Sequence, residues 1–182
     1  MNKEKNMRIA LLAGIIFAAA MARFVPHVPN LTPVGALALF AGAQISRKVL
    51  AFLVPLAAMF LGDIVLELTA GIGFHGTLGW VYAAFALIVL LGFVVRRSGI
   101  RPLTVAGGAI GASAIFFTVS NFGVWMSTAL YPKTLAGLAA CYTAAIPFYW
   151  STLAGDLIWT GVLFGAWEMI VRARPALQTA SR

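Results

Sequence analysis

Hydrophobic and polar residues separate into blocks along this chain: long apolar stretches alternate with short runs that hold most of the charge. The stretches 78–95, 102–132 and 134–155 contain no ionisable side chain other than tyrosine or cysteine. Each reaches the roughly 18 residues at which an apolar run reads as a helix crossing a hydrocarbon core of about 30 Å. The short-period alternation of a membrane β-barrel is not visible. The blocks predict an all-α membrane protein, a bundle of six transmembrane helices at 9–25, 33–45, 48–70, 78–95, 103–129 and 143–171. The second is short: at 1.5 Å per residue it rises only about 20 Å, so it must borrow residues from its flanks or be shielded by protein. Residues 134–171 are too many for one span and too few for two. Their first part is expected to dip back over the outer face, because two spans would carry Arg172 and Arg174 to the wrong side. The organisation expected is a tail at 1–8, a single membrane domain at 9–171 and a basic tail at 172–182.

Composition and charge sharpen this picture. Hydrophobic residues make up 62% of the chain and charged residues 10%, a balance that polar surface cannot cover in water, so the solvent is lipid. The net charge of +8 invites a nucleic-acid reading until the cations are located. Lys3, Lys5 and Arg8 precede the first apolar stretch, Arg47 and Lys48 follow the second, and Arg96, Arg97 and Arg101 follow the fourth. Arg172, Arg174 and Arg182 close the chain, leaving Arg23 and Lys133 in the alternate loops. Basic loops stay in the cytoplasm, so the charge reads as an N-in, C-in topology in a bacterial inner (cytoplasmic) membrane, with the lipid bilayer as partner and no nucleic acid. The lone Cys141 excludes an intramolecular disulfide. The first stretch ends in Met21-Ala22-Arg23-Phe24 and reads as a retained helix with a packing face, not a cleaved leader.

Candidate chemistry gathers at the outer end. Arg23, His27 and Asn30 fall at the first outer loop, His75 in the second, and Tyr131 and Tyr142 in the third. All four tyrosines and Trp80, Trp125 and Trp150 map to the outer half, whereas an ordinary aromatic belt decorates both interfaces. With Asn30, Thr32, Ser120 and Asn121, these rings suit an outward cavity for a planar, polar heterocycle. Asp63 and Glu67 lie one turn apart in the third helix, and Asp156 and Glu168 lie in the sixth. Carboxylates inside a membrane point to partners, cavities or ion paths. Asp63 either bridges to Arg23 or contacts a solute, and each histidine is either a solvated loop side chain or a ligand contact. Two histidines without a third ligand at metal spacing make no zinc site. Ala10, Gly14, Ala18 and Ala22 form a small-residue face, either for packing within the bundle or for docking a separate membrane subunit. No phosphate-binding loop, nucleophile elbow, metalloprotease helix or paired-cysteine motif is present, so neither an enzyme nor a cofactor is expected.

The stretches Arg23-Phe24-Val25-Pro26-His27-Val28-Pro29-Asn30-Leu31-Thr32-Pro33 and Asn121-Phe122-Gly123-Val124-Trp125 carry a resemblance, as do Ala58 to Asp63, Phe74-His75-Gly76-Thr77 and the run from Tyr131 to Asp156. Together with the six-span plan they resemble the substrate-binding S components of energy-coupling factor (ECF) vitamin transporters, within a poorly characterised bacterial group. The resemblance implies an outward cavity capped by the loops after helices 1 and 5. It also implies that Ala10, Gly14, Ala18 and Ala22 dock an ECF membrane coupling subunit that works with ATPases. It leaves riboflavin, thiamine, biotin and cobalamin open, and if the solute is cobalamin it makes His75 a candidate cobalt ligand. The function expected is a substrate-capturing membrane subunit for uptake of a small vitamin-like heterocyclic solute. Its contacts are taken from Arg23, His27, Asn30, Asp63, His75, Trp80, Asn121, Trp125, Tyr131, Tyr142 and Asp156. The alternative is a non-catalytic membrane scaffold or assembly factor of the cell envelope.

Overall fold

A computed structural model describes residues 2–21 and 31–174, and these are all helical with no strand among them. The helices are α1 (Asn2–Ala20), α2 (Val34–Gln44), α3 (Lys48–Ala70), α4 (Leu78–Ser98), α5 (Pro102–Ser127) and α6 (Leu135–Ala173). α3, α4, α5 and α6 are long and apolar enough to cross a membrane, which makes this a multi-pass membrane protein. The apolar part of α1, Asn6–Ala20, and α2 are shorter.

Local sequence explains the boundaries. Gly71, at φ 66° and ψ 27°, takes the left-handed turn that ends α3, and Gly99 ends α4 in a different positive-φ conformation, at φ 89° and ψ 131°, that glycine reaches without strain. Pro102 opens α5 at the position where a missing N–H costs nothing. Two boundaries differ from expectation. α1 begins at Asn2, so residues 2–8, expected as a tail, belong to the first helix. Arg8 is buried against α2, and Glu4 places an anion in the first turn, where the helix dipole favours it. α6 is one continuous helix of 39 residues, about 58 Å at 1.5 Å each, where a dipping segment was expected over its first part. The hydroxyl of Thr134 accepts the N–H of Gly137 at 3.1 Å and caps it, and Pro147 removes a single donor without ending the helix.

The centre of the bundle is α2. All eleven of its residues are buried, and it touches every other helix. At about 17 Å it could not span a bilayer alone, and the other five helices shield it instead of its flanks extending it. Its small residues permit the enclosure. A Cβ on Gly42 would lie 2.2 Å from the carbonyl oxygen of Val89, and one on Gly92 would lie 2.5 Å from that of Leu39, so α2 and α4 cross backbone to backbone. Phe40 packs edge-on against Phe164 at 5.1 Å on the α6 side.

The basic residues collect at one end. A guanidinium nitrogen of Arg96 donates to the carbonyl of Ile45 at 2.7 Å, so the end of α4 meets the end of α2. Arg8 of α1 reaches the same place, donating to the Gln44 carbonyl at 3.5 Å with its guanidinium 5.6 Å from the Trp167 ring. Arg101 follows α4 directly, and Arg172 faces the same cleft as Arg101. We call this the basic end; the α3–α4 and α5–α6 turns lie at the opposite end.

The glycine crossing predicts an asymmetry. Replacing Gly92 with valine should lower stability by about 1–3 kcal/mol through overpacking, whereas Gly107→Ala, where a Cβ meets nothing within 4 Å, should be neutral or slightly stabilising. Thermal unfolding of the two variants in detergent checks this.

Candidate functional site

Asp156, near the middle of α6, is 1% exposed and stands at the start of α2. Its carboxylate accepts the Ser113 hydroxyl of α5 at 2.6 Å and the backbone N–H of Ala36 in the first turn of α2. Pro33 precedes α2 and supplies no side-chain cap, so α6 provides the cap that the local sequence lacks. Neighbouring glycines make room. A Cβ on Gly35 would sit 2.3 Å from a carboxylate oxygen of Asp156, and one on Gly155 would sit 3.1 Å from the Cα of Leu31. Asp156 therefore joins α2, α5 and α6 at one point, with an anion at the positive end of a buried helix.

Above this point, towards the opposite end, α5 and α6 part slightly. A void of about 40 Å³ lies beside Asp156 between Thr32, Phe85, Phe116 and Thr152. Phe85 and Phe116 stack across it at 5.5 Å and 20°. Phe116 and Thr152 also border a second void of about 170 Å³, which continues between Ser120, Asn121, Phe148 and Tyr149. The two voids are neighbours along the α5–α6 seam, sharing Phe116 and Thr152, and together we call them the crevice; Asp156 borders the smaller one. Phe117 and Tyr149 pack at 5.2 Å along its wall. Asn121 uses its amide nitrogen on the Phe117 carbonyl at 2.8 Å, and Ser120 donates to the Phe116 carbonyl at 2.6 Å. The side-chain oxygen of Asn121 and the hydroxyls of Thr152 and Tyr149 give the crevice its polar character.

Of the residues singled out from sequence, the structure brings Thr32, Ser120, Asn121, Tyr149 and Asp156 to this crevice. Arg23, His27, Asn30 and Ala22 lie outside the described residues. Asp63 is buried between α3 and α4, where the Tyr82 hydroxyl donates to it at 2.6 Å. Glu67 accepts the N–H of Phe74 at 3.0 Å and so secures the next loop. His75 is exposed, with Nδ1 2.8 Å from the Thr77 hydroxyl, and borders none of these voids. Trp80 packs on Gly123 and donates to Ser127 at 2.9 Å. Trp125 donates to the Pro132 carbonyl at 2.9 Å, while Lys133 donates to the Trp125 and Thr128 carbonyls and lies over the Trp125 ring. Both tryptophans thus fasten helix ends. Tyr131 is half-buried beside this fastening, and Tyr142 donates to the Thr118 carbonyl at 2.6 Å on the outside of the α5–α6 seam. Among the described residues, no three His, Cys, Asp or Glu side chains converge as a metal site requires.

Sequence reasoning missed Ser113 and Thr152, which are ordinary small polar residues until a fold sets them beside a carboxylate. The polar spacing was legible: Thr152, Asp156 and Thr160 recur every four residues on α6, one face of a helix. The small-residue face of α1 also has a definite position. Arg8, Leu12, Ile16 and Ala20 turn inward and are buried, whereas Ala10, Gly14 and Ala18 are exposed and a Cβ on Gly14 would meet nothing within 4 Å. Among the described residues that face is left exposed.

Compared with known proteins, residues 3–177 match a family described as a family of unknown function (DUF6580). No curated protein and no solved structure matches the chain.

The Asp156 junction yields a direct stability test. Asp156→Leu would strand the Ala36 N–H at about 1–3 kcal/mol and leave the Ser113 hydroxyl only its longer contact to the Ala109 carbonyl at 3.2 Å, and should lower the melting temperature. Asp156→Asn, which keeps an acceptor, should cost less. A double-mutant cycle with Ser113→Ala should give a coupling of roughly 0.5–3 kcal/mol, and additivity would show that the two groups do not act together.

Proposed function

The chain belongs to that family of unknown function, and we propose that it is a non-catalytic solute-capturing subunit of a bacterial inner membrane, with six spans and both termini in the cytoplasm. The observation that carries this reading is the α5–α6 crevice. Polar side chains of Asn121, Thr152 and Tyr149 line one void at membrane depth, and Thr152 also borders the smaller neighbouring void beside the buried Asp156. Intramembrane polar groups around a cavity are the usual mark of a solute site, since lipid alone would exclude them. The basic end faces the cytoplasm on this reading, by the distribution of Arg and Lys, so the crevice opens outward.

Its size bounds the guest. The larger void is about 170 Å³ and the smaller about 40 Å³, below the roughly 300–1,000 Å³ of drug- and cofactor-sized sites. A single-ring heterocycle fits such a space, while a flavin or a corrin is too large for the described crevice. The exposed His75, outside the crevice, gives no support to cobalt ligation there. The outward face of Ala10, Gly14 and Ala18 supplies a surface for a separate membrane subunit, which is what an energised uptake system of the ECF kind needs.

That same face favours a second reading, a membrane scaffold or assembly factor of the cell envelope. It presents small residues to the bilayer, left exposed among the described residues, and Asp63, Glu67 and Asp156 all have partners inside the fold. The partner that co-purifies separates the two: a coupling subunit with ATPases for uptake, an envelope protein without an ATPase for the scaffold.

Binding is the decisive measurement. In a thermal-shift screen of single-ring heterocycles, thiamine, riboflavin and cobalamin, the smallest ligands should stabilise the detergent-purified protein. The gain should reach about 2.7 kcal/mol at one hundred times the dissociation constant. Asn121→Ala and Tyr149→Ala should remove the shift while leaving the ligand-free melting temperature nearly unchanged. No shift with any of them, together with no small molecule found by mass spectrometry in native extracts, would sink the capture reading.

A further inference from the structure

A cavity larger than either void of the crevice lies at the basic end, where α5 and α6 separate into a cleft of about 520 Å³. We propose that this cleft binds an anionic phospholipid from the adjoining leaflet, its phosphate at the mouth and one acyl chain along the walls. The site is distinct from the outward crevice, and its occupancy is independent of any solute.

The mouth is built for an anion. Arg101 and Arg172 stand on opposite walls, one preceding α5 and the other in the last turn of α6. Glu168 brings one carboxylate to the same place and holds the Arg172 Nε at 2.9 Å, which leaves the terminal nitrogens of that guanidinium for another acceptor. Two cations against one anion leave the mouth net positive. The first turn of α5, from Arg101 through Val105, forms part of the wall. The N-terminus of a 26-residue helix adds its own preference for negative charge there.

Below the mouth the lining changes character. Ala106 of α5 and Leu157 and Phe164 of α6 make an apolar trough, floored by Gln44 at the end of α2. From Arg172 to Thr160 the trough follows twelve residues of α6, about 18 Å at 1.5 Å each. One leaflet of a bilayer is half of a roughly 30 Å core, so the trough has the depth of an acyl chain and the charge of its headgroup at the correct end. Thr160 borders the deep end, but its hydroxyl is buried and offers the trough no accessible polar group. A free phosphate would use the mouth and ignore the trough. The trough is what assigns the site to a lipid.

The full-length protein can be exchanged into nanodiscs of phosphatidylglycerol or phosphatidylcholine, returned to neutral detergent and analysed for retained lipid by native mass spectrometry. Wild-type protein should retain phosphatidylglycerol about tenfold over phosphatidylcholine, the order expected for charge-assisted bonds, and this comparison needs no variant. The double variant R101Q/R172Q should lose that preference, and K48Q, an exposed basic-end cation outside the cleft, should keep it. Thr160→Val should hold the lipid as well as wild type or better, because a chain covers that position. Equal retention of the two lipids, or an unchanged preference in R101Q/R172Q, overturns the proposal. So does displacement of the lipid by millimolar inorganic phosphate, which would mark a free-anion site, or loss of retention in Thr160→Val, which would mark a polar ligand.

Discussion

A helix enclosed on every side cannot turn to solvent to satisfy its terminal backbone groups, and this constraint organises the molecule. α2 is that helix. The first-turn N–H of Ala36 meets the carboxylate of Asp156 from α6, and the carbonyl of Ile45 just beyond its last turn meets the guanidinium of Arg96 from α4. An anion stands at the positive end and a cation at the negative end, each delivered by a neighbouring helix. In water, solvent would do this work; in a bilayer core each unmet group costs several kcal/mol, so the caps must come from protein.

The rest of the packing follows from where those caps come from. To deliver Asp156, α6 passes so close to the start of α2 that Gly155 and Gly35 have no space for a side chain. To deliver Arg96, α4 lies along α2 with Gly92 against Gly42. Small residues within the bundle are therefore concentrated at the crossings that the polar contacts require. Where no such contact exists, as along Ala10, Gly14 and Ala18 of α1, the small residues face outward instead.

The α5–α6 seam shows the same economy. Ala109 and Thr160 border the basic-end cleft, and four residues away on each helix Ser113 and Asp156 form the contact that closes it. Beyond that contact the outward crevice begins. One layer of hydrogen bonds thus divides the seam into two spaces of different character, a small polar one and a larger one with an apolar trough and a cationic mouth. On the two proposals made above, the different linings go with different occupants, a compact solute on one side and an amphiphile on the other.

Much of this was legible in the sequence because lipid is a severe solvent. Apolar blocks marked α3, α4 and α5 with ends close to those observed, and the clustering of Arg and Lys anticipated the basic end. The brevity of 33–45 already required shielding, and Asp156 stood out as a carboxylate inside an apolar stretch. The extent of α6 was not legible, because nothing in residues 134–142 distinguishes a helix from a segment lying on a surface until Thr134 is seen to cap it. The partners of each polar group were not legible either. Asp156 finds Ser113 and Ala36, 43 residues and 120 positions distant in the chain, and Trp80 and Trp125 fasten helix ends instead of facing a cavity. Period and charge are local and act through the solvent, so the chain itself determined the helices and their polarity. Which side chains meet depends on helix rotation and crossing, and that was decided only when α2 was enclosed and its ends had to be satisfied.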